Sequence, residues 1–141
     1  MKRKTPRPKK YIIADECTKL WPRACEVLWG DACLLSGDTE QTTFHHYIPK
    51  SQSMRLKYDP INGVPLRNGV EHYKIHHGHN PEEVRKICQD IRDKRGKAWC
   101  DYIDLRAGMD NRGLFTLKWI LKQKENLTKI IETGKINNIS N

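Results

Sequence analysis

The chain has 141 residues, of which 37% are hydrophobic and 30% are charged, and its formal net charge is +9. This length is typical of one domain, and charges of mixed sign beside a sizeable apolar fraction exclude a wholly disordered chain. No apolar run approaches the roughly 18–20 residues needed to cross a bilayer. The basic N-terminus also lacks the apolar segment of a secretory signal. We therefore expect a cytoplasmic protein with no membrane partner.

Positive charge is concentrated at the start of the chain. Residues 1–10 contain six Lys or Arg and no acid, residues 11–43 contain six acids against two basic residues, and the chain is basic again from Phe44. Two prolines and repelling like charges predict a disordered basic arm over 1–10. A basic arm on a basic body indicates a polyanionic partner such as nucleic acid. The alternative is a solvated tail that only improves solubility.

The first half of the chain predicts a helical segment followed by short strands. Over 11–30, apolar residues recur at helical spacing, and Pro22 predicts either the first turn of a second helix or a break. Strands are expected over 33–35 and 42–48, joined as a hairpin, because the second is rich in β-branched and aromatic residues. A polar loop over 50–61 and a brief strand ending near Leu66 follow.

The second half predicts helices. Asn68 and Glu71 form a capping box that begins a helix ending near Gly78. The sequence Asn80-Pro81-Glu82-Glu83 begins another helix, which reaches about Arg95. Gly96 kinks or splits it, and a continuation reaches Ala107. A last helix is expected over 114–133, so that 80–134 forms a C-terminal helical region, and 135–141 is a frayed tail.

The five cysteines contain no C-x-x-C pair. Five is an odd number, and the cysteines are widely spaced, so we expect reduced thiols that mostly fill the core rather than a disulfide framework or a structural zinc site.

All six histidines lie between Phe44 and Asn80. His72 and His76 are four residues apart on a predicted helix, so their Cβ atoms would lie about 5–6 Å apart on one face. Such a pair can bind one metal ion, or it can be two ordinary surface histidines. A zincin is excluded because its H-E-x-x-H motif needs a Glu where this chain has Tyr73. A C₂H₂ finger is excluded because no cysteine pair precedes the histidines.

The segments "FHHYIPKS", "INGVPL" and "EHYKIH" occur in this order, and together they resemble the HNH nuclease family. That family has a histidine pair or Asp-His on the first strand, an Asn in the following turn and a histidine on the helix. The chain is similar to its phage-type members, including recombination-associated proteins of the NinG type. The resemblance implies an α+β fold with a ββα-metal (HNH, His-Me finger) core over 31–79 and flanking α-helices.

The resemblance also implies roles for individual residues. His45, His72 and His76 would be metal ligands, and His77 is the alternative third ligand. His46 would be the general base that takes a proton from the attacking water. Adjacent residues on an ideal strand point to opposite faces, so His45 and His46 can flank one site only if the strand twists or ends there.

The resemblance gives Asn62 a supporting role. Its side chain would hydrogen-bond backbone across the loop and so orient the segment that carries His46. The alternative is that Asn62-Gly63 is simply a turn dipeptide.

The expected function is therefore a metal-dependent DNA endonuclease. A histidine with an ordinary pKa near 6.5 suits the deprotonation of water, and one divalent ion (Mg, Mn, Zn or Ni) would stabilise charge on the phosphorane and the leaving group. Five cations would bind neighbouring phosphates: Lys50, Arg55, Lys57, Arg67 and Lys74. Branched or nicked DNA are candidate substrates, and one site per chain means that double-strand cleavage needs a homodimer or two successive nicks. The alternatives are a non-cleaving nucleic-acid-binding module with the same fold and a zinc-stabilised interaction protein.

Overall fold

The computed structural model describes residues 3–67 and 80–136. These residues form five α-helices and a two-stranded antiparallel sheet: α1 (Lys9–Trp29), β1 (Thr42–His46), α2 (Met54–Lys57), β2 (Gly63–Arg67), α3 (Pro81–Arg95), α4 (Lys97–Ala107) and α5 (Leu117–Thr133). A 3-10 turn, Pro60–Asn62, leads directly into β2. The α+β class is confirmed. The helix predicted from Asn68 to Gly78, which would complete a ββα core, lies outside the described residues.

The helical segment predicted over 11–30 is one helix rather than two. α1 begins at Lys9, inside the segment predicted to be a disordered arm, and runs through Pro22 without a break. Proline cannot donate the hydrogen bond to the carbonyl one turn earlier. The helix nevertheless continues because its buried face, which includes Trp21 and Cys25, packs along α5 and the 3-10 turn on both sides of the proline.

The hairpin predicted between 33–35 and 42–48 is wrong. The first of these segments forms a tight turn, in which Cys33 N donates to Asp38 O (2.7 Å) and Gly37 N donates to Cys33 O (2.9 Å). Gly37 has φ +78°, a conformation that glycine adopts without strain and that closes the turn. β1 instead pairs with β2, and the register places His45 opposite Val64 and His46 opposite Gly63.

Local signals located the later helices well. Asn80 caps α3 by accepting from Glu82 N, and Gly96, at φ +87°, splits α3 from α4. α5 begins at Leu117 rather than at 114 because Thr116 caps it by accepting from Trp119 N. The loop predicted over 50–61 contains α2, which Ser53 caps.

The two faces of the sheet meet different surroundings. Phe44 packs against the cluster formed between α1 and α5, and we call this side the α1 face. Val64 and Leu66 belong to a second cluster with residues of α3 and α4, and we call that side the core face. Side chains alternate along a strand, so His46 lies with Phe44 on the α1 face, and His45 shares the other face with Val64.

None of the helices within the described ranges is long and apolar enough to cross a membrane.

Candidate nuclease site

Asn62 lies at the centre of the strand–turn–strand unit. Its side chain is fully buried; Oδ1 accepts from Ile48 N (2.8 Å), and Nδ2 donates to the carbonyls of Ile48 (3.0 Å) and Leu56 (3.3 Å). Tyr47 N also donates to Asn62 O (2.9 Å). These bonds join the turn to the chain immediately after β1, which is the kind of contact that the HNH resemblance implies for this residue.

The turn interpretation of Asn62-Gly63 does not describe this part of the chain. Gly63 has φ −82°, an extended value that any residue adopts, and it is the first residue of β2. A Cβ added there would lie 2.4 Å from Cys25 Sγ and 3.2 Å from Trp21 Cζ2. Glycine at this position therefore allows α1 to approach the sheet closely.

His46 is the last residue of β1, and a backbone hydrogen bond fixes its imidazole. Nε2 lies 2.8 Å from Lys57 O. A carbonyl can only accept, so Nε2 carries the proton and Nδ1 keeps its lone pair in the neutral ring. The side chain is half-buried on the α1 face.

Burial lowers the pKa of His46 to about 4, and the charges of Lys50 and Lys57 act in the same direction, while the hydrogen bond to the Lys57 carbonyl opposes them. This value departs from the ordinary pKa near 6.5 that the sequence interpretation assumed. A partly desolvated imidazolium beside two ammonium groups is unfavourable. The ring is therefore uncharged at neutral pH.

Trp21 of α1 covers one face of the His46 ring. The two ring centroids are 3.8 Å apart and the planes differ by 5°, so the rings are stacked. Sequence reasoning treated Trp21 only as one member of an apolar helical stripe. Nothing in the sequence indicated that an imidazole packs against it.

The 3-10 turn that leads into β2 is itself fixed by Asp59. Its carboxylate accepts from Ile61 N (2.9 Å) and from Tyr102 Oη (2.5 Å). Burial raises the pKa of this carboxyl, and the two hydrogen bonds oppose that rise. The link to Tyr102 attaches the turn to α4, which sequence reasoning also missed because the two residues are distant in the chain.

An open cleft lies between α1 and the end of β1. Thr18, Trp21 and Pro22 form one wall, and His46 and the loop after β1 form the other. A smaller pocket continues from it beneath His46 towards Lys57. The half-buried imidazole thus lies beside an accessible depression.

His45 also borders this cleft although it belongs to the opposite face of the sheet. It is 6% exposed and pairs with Val64 on the core face. β1 ends at His46, so both histidines can border the cleft at the end of the strand. The side chains of His45 and His46 alternate between the two faces, as expected for a strand. Because the strand ends at His46, this alternation does not keep the two residues from bordering one cleft.

The predicted cations do not all lie in one place. Lys50 is exposed on the cleft wall, and Lys57 lines the smaller pocket. Arg55 donates to Asp110 O (3.2 Å) in the loop before α5, and Arg67 forms an ion pair with Asp38 (2.9 Å). Lys74 lies outside the described residues. Among the predicted cations that the structure describes, Lys50 and Lys57 border His46.

Most of the predicted metal ligands lie outside the described residues. His72 and His76, and the alternative ligand His77, all fall within 68–79. Over 3–67 and 80–136, no group of three or more His, Cys, Asp or Glu side chains could hold a metal ion. His45 alone therefore does not make a metal site, and the predicted three-histidine set stays a prediction.

No protein-family model, no curated protein and no solved structure matches this chain. The functional interpretation therefore depends on the residues and their geometry.

Proposed function

We propose that the protein is a metal-dependent DNA endonuclease of the HNH type, with His46 as the general base. The observation that carries this proposal is the arrangement at the end of β1. A neutral imidazole borders an open cleft, its Nε2 proton is held by the Lys57 carbonyl, and the buried Asn62 joins the supporting turn to the strand end.

In this proposal, Nδ1 of His46 takes the proton from the attacking water. The donor role of Nε2 leaves Nδ1 as the ring nitrogen with a lone pair. Fixing the ring before the reaction lowers the entropic cost of reaching the reactive geometry. Asn62 contributes by joining the backbone after β1 to that of α2, so it is a positioning residue.

The phosphate backbone of the substrate would be bound by the cations beside the cleft. Lys50 and Lys57 line the same pocket as His46, and Arg55, Arg67 and Lys74 would extend the positive surface. Such contacts are largely independent of base sequence and weaken as salt is raised. This binding mode fits DNA, including branched or nicked forms, as the substrate class.

The divalent ion would be held by His45, His72 and His76. Three neutral imidazoles leave coordination positions open, and an ion such as Mg, Mn, Zn or Ni supplies positive charge for the phosphorane and the leaving oxygen.

The proposal is tested by incubating the protein with supercoiled plasmid, nicked duplex and a four-way junction, each with Mg, Mn, Zn or Ni and with EDTA. We expect cleavage of at least one substrate with at least one metal and none with EDTA. His46→Ala should reduce kcat by about 100-fold or more, the usual contribution of a general base. Added imidazole should restore part of this loss, because it can enter the space that the truncated side chain leaves.

Thr43→Ala is the matched control, because Thr43 is an exposed residue of the same strand. It should cleave at the wild-type rate. Full activity of folded His46→Ala would remove the base assignment. If the wild-type protein binds DNA but cuts with no metal, the chain is instead a non-cleaving nucleic-acid-binding module.

A further inference from the structure

We propose that Trp21 of α1 is a positioning residue for His46, so that α1 is part of the nuclease site although it precedes the HNH-like segment. This inference rests on the proposed role of His46. It is supported by the stacking of the two rings and by the hydrogen bond that each ring donates.

The stacking fixes the plane of the imidazole. With centroids 3.8 Å apart and planes within 5°, the indole covers one whole face of the His46 ring. Trp21 is 5% exposed, so its own position is set by packing in the cluster between α1 and α5. A ring lying flat on a fixed surface cannot tilt without losing that contact.

Both rings also donate hydrogen bonds to one short segment, which runs from the end of α2 to the start of the 3-10 turn. Trp21 Nε1 donates to Asp59 O (3.0 Å), and His46 Nε2 donates to Lys57 O (2.8 Å). The two acceptors are two residues apart. The indole, the imidazole and this segment therefore form one unit, in which the plane of the His46 ring and the direction of its edge are both determined.

The sheet leaves room for this unit. Gly63 is the strand partner of His46, and a Cβ there would lie 3.2 Å from Trp21 Cζ2. The absence of a side chain at Gly63 allows the indole to reach across β2 to the imidazole. The stack thus depends on a residue of each of three elements: α1, β1 and β2.

The consequence for the proposed reaction is geometric. A general base must keep its lone pair aimed at the attacking water, and misplacement by about 1 Å can lower the rate about 100-fold. Loss of the indole would let the His46 ring tilt and rotate while the cations that bind DNA stay in place. The expected effect falls on kcat and not on KM.

Two substitutions separate stacking from the hydrogen bond. Trp21→Leu removes both the flat ring and the N–H group, whereas Trp21→Phe removes the N–H group and keeps an aromatic face. We expect kcat to fall about 10- to 100-fold in Trp21→Leu, with KM unchanged. Trp21→Phe should recover most of that loss.

Trp29→Leu is the matched control. Trp29 lies on the same helix and donates to the same segment, through Nε1 to Pro60 O (2.9 Å), but its ring packs on Arg95 and not on His46. If the loss of a tryptophan from α1 lowered kcat only by weakening the fold, Trp21→Leu and Trp29→Leu would lose kcat to the same extent. All rates are measured below the unfolding transition of each variant, and an equal kcat for Trp21→Leu and Trp29→Leu would overturn the proposal.

A spectroscopic measurement tests the same inference without cleavage. In the metal-free protein, long-range ¹H–¹⁵N spectra should show His46 with a protonated Nε2 and an unprotonated Nδ1. Its ring protons should be shifted by the ring current of the indole. Trp21→Leu should lose this shift and gain the other tautomer, and Trp29→Leu should change neither.

The two proposals can fail separately. If no DNA is cut under any condition, the nuclease proposal fails, and the spectra still decide whether Trp21 orients the ring. If DNA is cut and the His46 spectrum of Trp21→Leu equals that of the wild type, the positioning role is wrong and the nuclease proposal stands.

Discussion

The two faces of the small sheet differ in what they bury. On the core face, Val64 and Leu66 are fully buried among apolar side chains of α2, α3 and α4, and His45 is also buried on this face. On the α1 face, the polar His46 lies between the indole of Trp21 and an open cleft. The core face therefore contributes mainly burial, whereas the α1 face combines close packing against α1 with an imidazole that borders a cleft.

The largest stability effect is expected on the core face. Leu66→Ala removes a fully buried side chain, so it should lower the free energy of unfolding by about 2–5 kcal/mol, from lost transfer energy and the cavity left behind. The proposed cleavage should keep its kcat below the new melting temperature. His46→Ala is the matched comparison, since it should lower kcat by about 100-fold or more with a much smaller change in unfolding by denaturant. Equal effects of both variants on both measurements would break the distinction between the faces.

The next effect is expected at Asn62, which joins the faces. Asn62→Ala leaves Ile48 N and Ile48 O without these partners, whereas the Leu56 carbonyl still accepts from Asp59 N, and each of the two losses costs about 1–3 kcal/mol. We expect a total of about 2–3 kcal/mol by denaturant unfolding and a lower rate of cleavage. Asn126→Ala, at an exposed position of α5, is the control and should change stability by less than about 0.5 kcal/mol. A cost at Asn62 no larger than the control would show that these bonds contribute little.

A smaller effect is expected from closing the space beside Trp21. Gly63→Ala places a Cβ 2.4 Å from Cys25 Sγ, and such overpacking costs about 1–3 kcal/mol. Because Cys25 is the nearest obstacle, the double variant Gly63→Ala with Cys25→Ala should recover part of the loss. Gly108→Ala is the control, since the nearest atom to its Cβ would be Asp104 O at 3.6 Å. Thermal melts of the wild type, the two single variants, the double variant and the control measure this, and additive losses in the double variant would contradict it.

The smallest effect is expected at the surface of the core side, where Arg92 binds Asp104 through two hydrogen bonds of 3.0 and 2.6 Å. Hydrogen bonding to Arg92 lowers the pKa of Asp104. A lowered carboxyl pKa adds stability above the unfolded value of about 3.9, and this contribution is lost as the pH falls through the folded value. The pair is largely exposed, so Asp104→Asn should cost at most about 1 kcal/mol at pH 7.

The free energy of unfolding lost in Asp104→Asn should depend on pH, and this dependence serves as the control. Denaturant unfolding at pH 7 should separate Asp104→Asn from the wild type, and at about pH 2–3 the difference should shrink, since the wild-type carboxyl is then being protonated as well. A difference that grows on acidification would mean that the ion pair does not stabilise the protein.

Elements encoded by neighbouring residues could be predicted from the sequence. The bounds of α3 were predicted correctly because Asn80, Pro81 and Gly96 act within one turn of the helix ends that they define. β1 was predicted from its β-branched residues, but its partner was not, because pairing depends on which distant strand can also fill the core. The 33–35 segment has apolar residues like a strand, yet Gly37 closes it into a turn.

The residues of the candidate site also fall into two groups, those that the sequence predicted and those that it did not. His46 and Asn62 were predicted as site residues because each lies in a short motif of neighbouring residues. Trp21 could not be, since its contact with His46 arises from the docking of α1 across β2. Pro22 led to the prediction of a broken helix, and an uninterrupted α1 is what carries the indole to the imidazole.

One short segment carries both carbonyls that accept from the two rings, those of Lys57 and Asp59, and this has a consequence for protein engineering. A graft of residues 31–79 into another scaffold would transfer every histidine of the chain and the two carbonyls that accept from the rings. It would leave behind the indole that covers His46, because that side chain comes from α1. We expect such a transplant to have a low kcat in the proposed reaction until its host presents a flat aromatic ring at the place of Trp21.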